Sequence, residues 1–153
     1  MAIQLSTGLR SAMLDTADFK TLFANSIIDI YSGDQPASAD DTEAGTHLLR
    51  ITLSSGAFTP GEPDNGLNFD AAVAGVIAKI EADTWSGENL ESGTAGWFRF
   101  YDNSVTTGAS TEAVRFDGSV DVSEAELNMP STSLVATATT TIDAFEVTLP
   151  ASV

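Results

Sequence analysis

Apolar residues recur at helical spacing only near the start of the chain. Leu9, Met13 and Leu14 fall at i, i+4 and i+5, and Phe19, Leu22 and Phe23 at i, i+3 and i+4. Ser6 and Thr16 precede the two groups as candidate hydroxyl N-caps. The spacing predicts one broken helix or two short ones over residues 7–24, with all six apolar residues turned to a core. From residue 26 the pattern becomes extended. Ile27, Ile28, Ile30 and Tyr31 form a β-rich run with Asp29 inside it, closed by the turn signal Ser32-Gly33-Asp34. Leu48, Leu49, Ile51 and Leu53 predict the next strand, after a small, polar and acidic loop over 33–46.

A second loop, rich in Gly and Pro, spans residues 54–66, and short extended segments then follow closely. They are Leu67–Phe69, Gly75–Ile80, Thr84–Ser86, Ala95–Tyr101, Ala113–Val120, Ala125–Met129 and Thr139–Leu149. Phe98 and Phe100 alternate with Trp97 and Arg99, and Val114 and Phe116 with Arg115, the period-two mark of strands with one buried face. In the last segment Ile142 has the opposite parity to Phe145, Val147 and Leu149, so a bulge is expected near Asp143. The fold class expected is mainly β: an antiparallel, jelly-roll-like β-sandwich with one or two short N-terminal helices. One domain is expected over 1–153, with residues 1–25 as arm and helical segment and 26–153 as the sandwich.

Composition narrows the function classes. The chain has 153 residues, no Cys and one His, which excludes disulfides, a thiolate nucleophile and a multi-histidine metal centre within the chain. Its 22 acids against 6 cations give a net charge of −16, so nucleic acid and anionic membrane surfaces are both expected to repel it. No run approaches the roughly 18 apolar residues of a membrane span. The first residues lack the cationic and apolar regions of a targeting leader, and synthesis in a cytoplasm is expected.

Candidate chemistry is sparse. His47 has no G-x-S-x-G elbow to serve, so an ordinary hydrogen-bonded histidine is expected. Carboxylate pairs are unavoidable among so many acids and single out no hydrolytic site. Asp40-Asp41-Thr42-Glu43 supplies oxygens of the kind Ca²⁺ takes but lacks the EF-hand spacing; the favoured reading is a solvated acidic loop, with no metal and no cofactor. Asp121, Glu124 and Glu126 are read in the same way. Trp85 and Trp97 could form a sugar-stacking platform, although Trp85 reads better as core or rim. Trp97 shares a strand face with Arg99, opposite the Phe face. It is read either as a partner contact rich in aromatic and Arg side chains, or as covered by a second layer such as the N-terminal helix. Arg10, Arg50, Arg99 and Arg115 are each expected against a specific carboxylate.

A string of short motifs carries a resemblance. Ala2–Leu14, Ile30–Asp40, Gly66–Asp70, Gly75–Lys79, Trp85–Gly87 and Gly93–Arg99 are followed in order by Arg115–Val120, Leu127–Met129, Ser131–Leu134, Thr141–Asp143 and Leu149–Pro150. Together they resemble a group of small tailed-bacteriophage virion proteins over the length of the chain; the order of the motifs, each short and structural, carries the likeness. Asp40–Glu43 and the Phe58–Asn65 loop fall outside the group's pattern. The resemblance implies a virion component with no catalytic residues to transfer. The expected role is head decoration: a cement protein on the capsid exterior that contacts the major capsid protein or other virion proteins, as a homo-oligomer, expected to be a trimer. The alternatives are a tail or neck component, or a carbohydrate-binding β-sandwich for host attachment. The expected partner contacts are an arm over Ala2–Leu9, with Ile3, Leu5 and Leu9, and the Trp97/Arg99 face. Ile3 and Leu5 alternate as a strand able to join a sheet edge.

Overall fold

The computed structural model describes residues 3–152. Two helices open it. In α1 (Thr7–Asp15) the Ser6 hydroxyl caps the first turn, accepting from Leu9 N–H at 3.0 Å and donating to Ala113 O at 2.7 Å. In α2 (Phe19–Leu22) the cap is Asp18, which accepts from Thr21 N–H at 2.9 Å. Thr16 is therefore not an N-cap: its N–H still bonds Ala12 O, so it closes α1. The apolar stripe also loses Leu14, which is 90% exposed. Five residues rotate a helix by roughly 140° net, so once Leu9 is buried Leu14 points away from it.

The strands, in chain order, are β1 (Gln4–Leu5), β2 (Ile27–Ser32), β3 (His47–Leu53), β4 (Val76–Ala78), β5 (Trp85–Glu88) and β6 (Gly93–Tyr101). β7 (Arg115–Asp121), β8 (Leu127–Asn128), β9 (Ser133–Leu134), β10 (Thr139–Ile142) and β11 (Glu146–Thr148) follow. The main sheet runs β1-β7-β6-β2-β3-β5-β10, with β8 added parallel to β7 and β9 antiparallel to β6. A separate ribbon pairs β4 with β11. The protein is mainly β and antiparallel, with two short helices.

Three sequence expectations change. Leu67–Phe69 forms only isolated bridges, Ser26 to Leu67 and Phe69 to Lys79. Thr139–Leu149 is not one bulged strand: it breaks at 143–145, and its halves join different sheets as β10 and β11. The arm is an edge strand of its own sheet, with Gln4 opposite Asp117 and Leu5 opposite Phe116. Ala2, where that arm was expected to begin, lies outside the described residues.

Seven of the eight phenylalanines are in the buried core. Phe98, Phe100 and Phe116 project from one face of β6 and β7. Phe23 of α2's end, Phe69 and Phe145 pack onto Phe100 at 5.4, 5.4 and 5.6 Å between ring centroids. Each such side chain contributes about 1.5–3 kcal/mol on burial. The core thus lies between one face of the main sheet and a cover made of α2, residues 67–69 and the β4–β11 ribbon. The other face is free for a different layer.

Candidate functional site

That second layer is ionic. Strand alternation turns Asp29 and Tyr31 of β2, Arg50 of β3, Trp97, Arg99 and Tyr101 of β6, and Arg115 and Asp117 of β7 away from the phenylalanines. Register sets Asp29 opposite both Arg50 and Arg99, and Arg99 opposite Asp117. The row Arg50–Asp29–Arg99–Asp117 therefore alternates in sign across four neighbouring strands. Arg50 donates to both Asp29 oxygens at 2.7 and 2.8 Å, and Arg99 to both Asp117 oxygens at 2.6 and 2.8 Å. His47 Nε2 lies 3.1 Å from Asp29 Oδ1.

Two loops, 33–46 and 102–114, close over the row. From the 33–46 loop, Glu43 accepts from Tyr101 Oη at 2.5 Å, Arg99 Nη1 at 3.0 Å and Gly108 N–H at 2.9 Å. Arg115 donates to the carbonyl oxygens of Ala39, Thr106 and Gly108, each at 2.7 Å, so one guanidinium holds both loops. Trp97 stacks on Tyr31 at 4.6 Å, and its Nε1 donates to Ala44 O at 3.1 Å. Asp40 accepts from the Thr7 N–H and hydroxyl at 2.8 and 2.6 Å, tying the same loop to α1.

Burial works against the charge on Asp29, but the Arg50 fork and His47 outweigh it and hold its pKa below the ordinary value. Glu43 is likewise lowered: burial is overcome by the Tyr101 hydroxyl and the Gly108 N–H. At Arg99, pairing with Asp117 overcomes burial and raises the pKa. Both tyrosines are pushed up, first by burial and then by neighbouring groups, so they stay neutral. The layer's three acids, Asp29, Glu43 and Asp117, cancel its three arginines, Arg50, Arg99 and Arg115. The remaining 19 acids and 3 cations therefore carry the whole net charge of −16 on the rest of the molecule.

The expected contact residues fall in different places. Trp97 and Arg99 come together, with the guanidinium 5.4 Å from the indole, but both are 0% exposed and present no outer face. The cover is the 33–46 loop and not the N-terminal helix. Ile3 and Leu5 are partly buried against the chain's own core, and Leu9 is wholly inside it. Trp85 is also 0% exposed, so the two indoles form no open sugar platform. Within Asp40–Glu43 the solvated reading holds for Asp41 and Thr42, which are exposed, and not for Asp40 and Glu43, which are spent on internal bonds. Glu126 accepts from Ser119 N–H at 2.9 Å. Of the arginines, Arg50 and Arg99 meet carboxylates in two-pronged bonds. Arg115 meets mainly backbone carbonyls, with Glu43 at 3.7 Å, and Arg10 meets the Thr7 hydroxyl at 2.9 Å and Ser6 O.

Sequence reasoning missed Glu43, Tyr31, Tyr101, Asp29 and Asp117 as partners. The available signal was an acid inside an apolar strand, at Asp29, beside strands that alternate Phe with Arg. Among the described residues no cluster of three or more His, Asp or Glu is arranged to hold a metal ion, and no helix is long and apolar enough to cross a membrane. The arrangement fastens two long loops to a sheet and leaves the working surface to what those loops and edges display. No family model, curated protein or solved structure matches the chain.

Proposed function

We propose that the chain is a tailed-bacteriophage virion structural protein that works by surface contact, as a head decoration (cement) protein on the capsid exterior. In this reading the fold is a sandwich, with the main sheet and the β4–β11 ribbon as its two layers. The observation that carries the proposal is where the charge lies. The layer richest in chemically capable side chains is neutral and committed to holding loops, while the rest of the surface is strongly acidic. Such a surface is repelled by packaged DNA, which favours the outside of a shell over its inside. The ordered string of motifs that resembles small virion proteins supports the same role. The major capsid protein is the proposed partner.

Copy number tests this. Quantitative mass spectrometry of purified particles is expected to give a ratio near one to the major capsid protein, or a simple fraction of it. A count far below that overturns the decoration role and assigns the protein to the tail or neck. Absence from purified particles overturns any virion role.

A further inference from the structure

We propose that β10 is an interface strand, paired edge to edge and antiparallel with the β10 of a second copy of this chain. The inference goes beyond the virion reading and holds for the isolated protein. Among the described residues β10 ends the main sheet, with β5 on one side and no strand on the other. Ala138 O accepts from Asn89 N–H, so backbone groups of that parity face β5 and those of Thr139 and Thr141 face outward. On its inner side the strand is anchored: Ile142 is 0% exposed and Thr140 Oγ1 donates to Asn89 Oδ1 at 2.7 Å. Its outer edge has none of the usual guards, for Thr139-Thr140-Thr141-Ile142 contains no Lys, no Pro and no charge.

Charge selects the occupant. Two copies at −16 repel each other over most of their surfaces. Leu127–Ile142 is the longest stretch of the chain without a charged residue, 16 positions holding β8, β9 and β10. It also shows Val135 at 63% exposure beside an open slot of about 240 Å³ between residues 130–135 and β10. A like-charged copy can approach closely here. An antiparallel two-fold pairing centred on Thr140 sets Thr139 against Thr141 and Asp143 against Thr137, so no acid faces an acid across the axis. Glu88 lies opposite Thr139, but on β5, one strand inward.

Sedimentation equilibrium on the full chain tests the pairing, with the near-ultraviolet signal of the buried Trp85 and Trp97 reporting the fold. Wild type is expected to show a reversible monomer–dimer equilibrium that strengthens with salt. The folded double variant T139E/T141E is expected to dimerise at least about tenfold more weakly, because facing acids repel. An equimolar mixture with T139K/T141K is expected to restore the dimer, since Glu then faces Lys. Wild type that stays monomeric at every concentration and salt overturns the proposal, whatever other partner takes the edge. So does a T139E/T141E variant that dimerises like wild type, or a folded mixture that does not recover. If the acidic variant does not fold, the lysine variant alone and in mixture with wild type decides: loss of self-pairing supports the interface, and unchanged self-pairing overturns it.

Discussion

Arg99 is charged, wholly buried and held by three carboxylate bonds, two from Asp117 and one from Glu43. Removing Arg99 takes the two-pronged fork away from the buried Asp117 carboxylate, at about 3–5 kcal/mol. Arg99→Met is expected to lose that much in urea unfolding. Arg99→Met combined with Asp117→Leu is expected to lose less than the two single losses added together, since the second change removes a stranded charge. Strict additivity would show that the pair is not coupled. In the apolar layer the contrast lies between Leu9 and Leu14. Leu9→Ala is expected to cost about 2–5 kcal/mol as a core truncation, and Leu14→Ala to stay within about 0.5 kcal/mol; similar losses at both sites would contradict the exposed position of Leu14. At this scale the sequence was half legible. Period-two alternation separated Phe98 and Phe100 from Trp97 and Arg99 correctly. What alternation does not carry is register, so Asp29 opposite Arg50 and Asp117 opposite Arg99 had no local signal. The stacking of a loop over Trp97 had none either, because Ala44 is 53 positions away.

Among the elements, the 33–46 loop departs most from its sequence appearance. Gly, Pro, Ser and Asp read as solvated coil, yet the segment is latched at Asp40, Ala44 and Glu43. It starts close against β6: a Cβ on Gly96 would lie 2.0 Å from Gly33 O, so only glycine admits this approach. Glu43 is the main latch, since it bridges the loop to Tyr101, Arg99 and Gly108. Glu43→Ala is expected to open the loop while the Phe-lined core stays folded. Limited proteolysis is expected to cut within 33–46 faster than in wild type, and Trp97 fluorescence to shift to the red; an unchanged cleavage pattern and spectrum would remove the latch role. Other misreadings share the cause of the loop's. Thr139–Leu149 reads as one strand with a parity break near Asp143, but its halves pair with β5 and β4, strands 7 residues apart in sequence that belong to different sheets. Such partners are a tertiary choice, invisible to local pattern. By contrast β2, β3 and β6 were legible because each is long, β-branched or aromatic, and bounded by turn residues.

For the whole molecule, two electrostatic terms act in opposite directions, and their difference in burial separates them. The neutral inner layer stabilises the fold and is shielded from salt by burial; the outer charge of −16 opposes compactness and is open to screening. Raising NaCl from about 0.01 to about 1 M shortens the Debye length from about 30 to about 3 Å. At pH 7 the melting temperature is therefore expected to rise, by about 2–4 °C for each kcal/mol of repulsion removed. A fall would mean that exposed ion pairs outweigh repulsion. Acid separates the terms in the other direction. Asp29 and Glu43 have pKa values lowered from 3.8 and 4.5, so their contribution is complete above those ordinary values and disappears as pH falls through the lower folded ones. Asp102 and Asp117, both raised by burial, which at Asp117 outweighs the Arg99 fork, have the opposite sign and favour the fold on acidification. Protonation of outer carboxylates also relieves repulsion over the same descent. Stability at low salt is thus expected to climb from pH 7 to a maximum near about pH 5 and to collapse at lower pH, on the descent from the ordinary values of Asp29 and Glu43 through their lowered folded ones. In about 1 M NaCl the climb is expected to flatten while the acid collapse remains, because salt screens the exposed charges more than the buried Asp29 and the largely buried Glu43. A collapse that salt shifts as strongly as the climb would place the decisive acids on the surface. Chemical denaturation at each pH and salt, on the wild type and on Glu43→Gln, distinguishes these outcomes: the variant is expected to lose the part of the acid limb that Glu43 supplies and to keep the salt response.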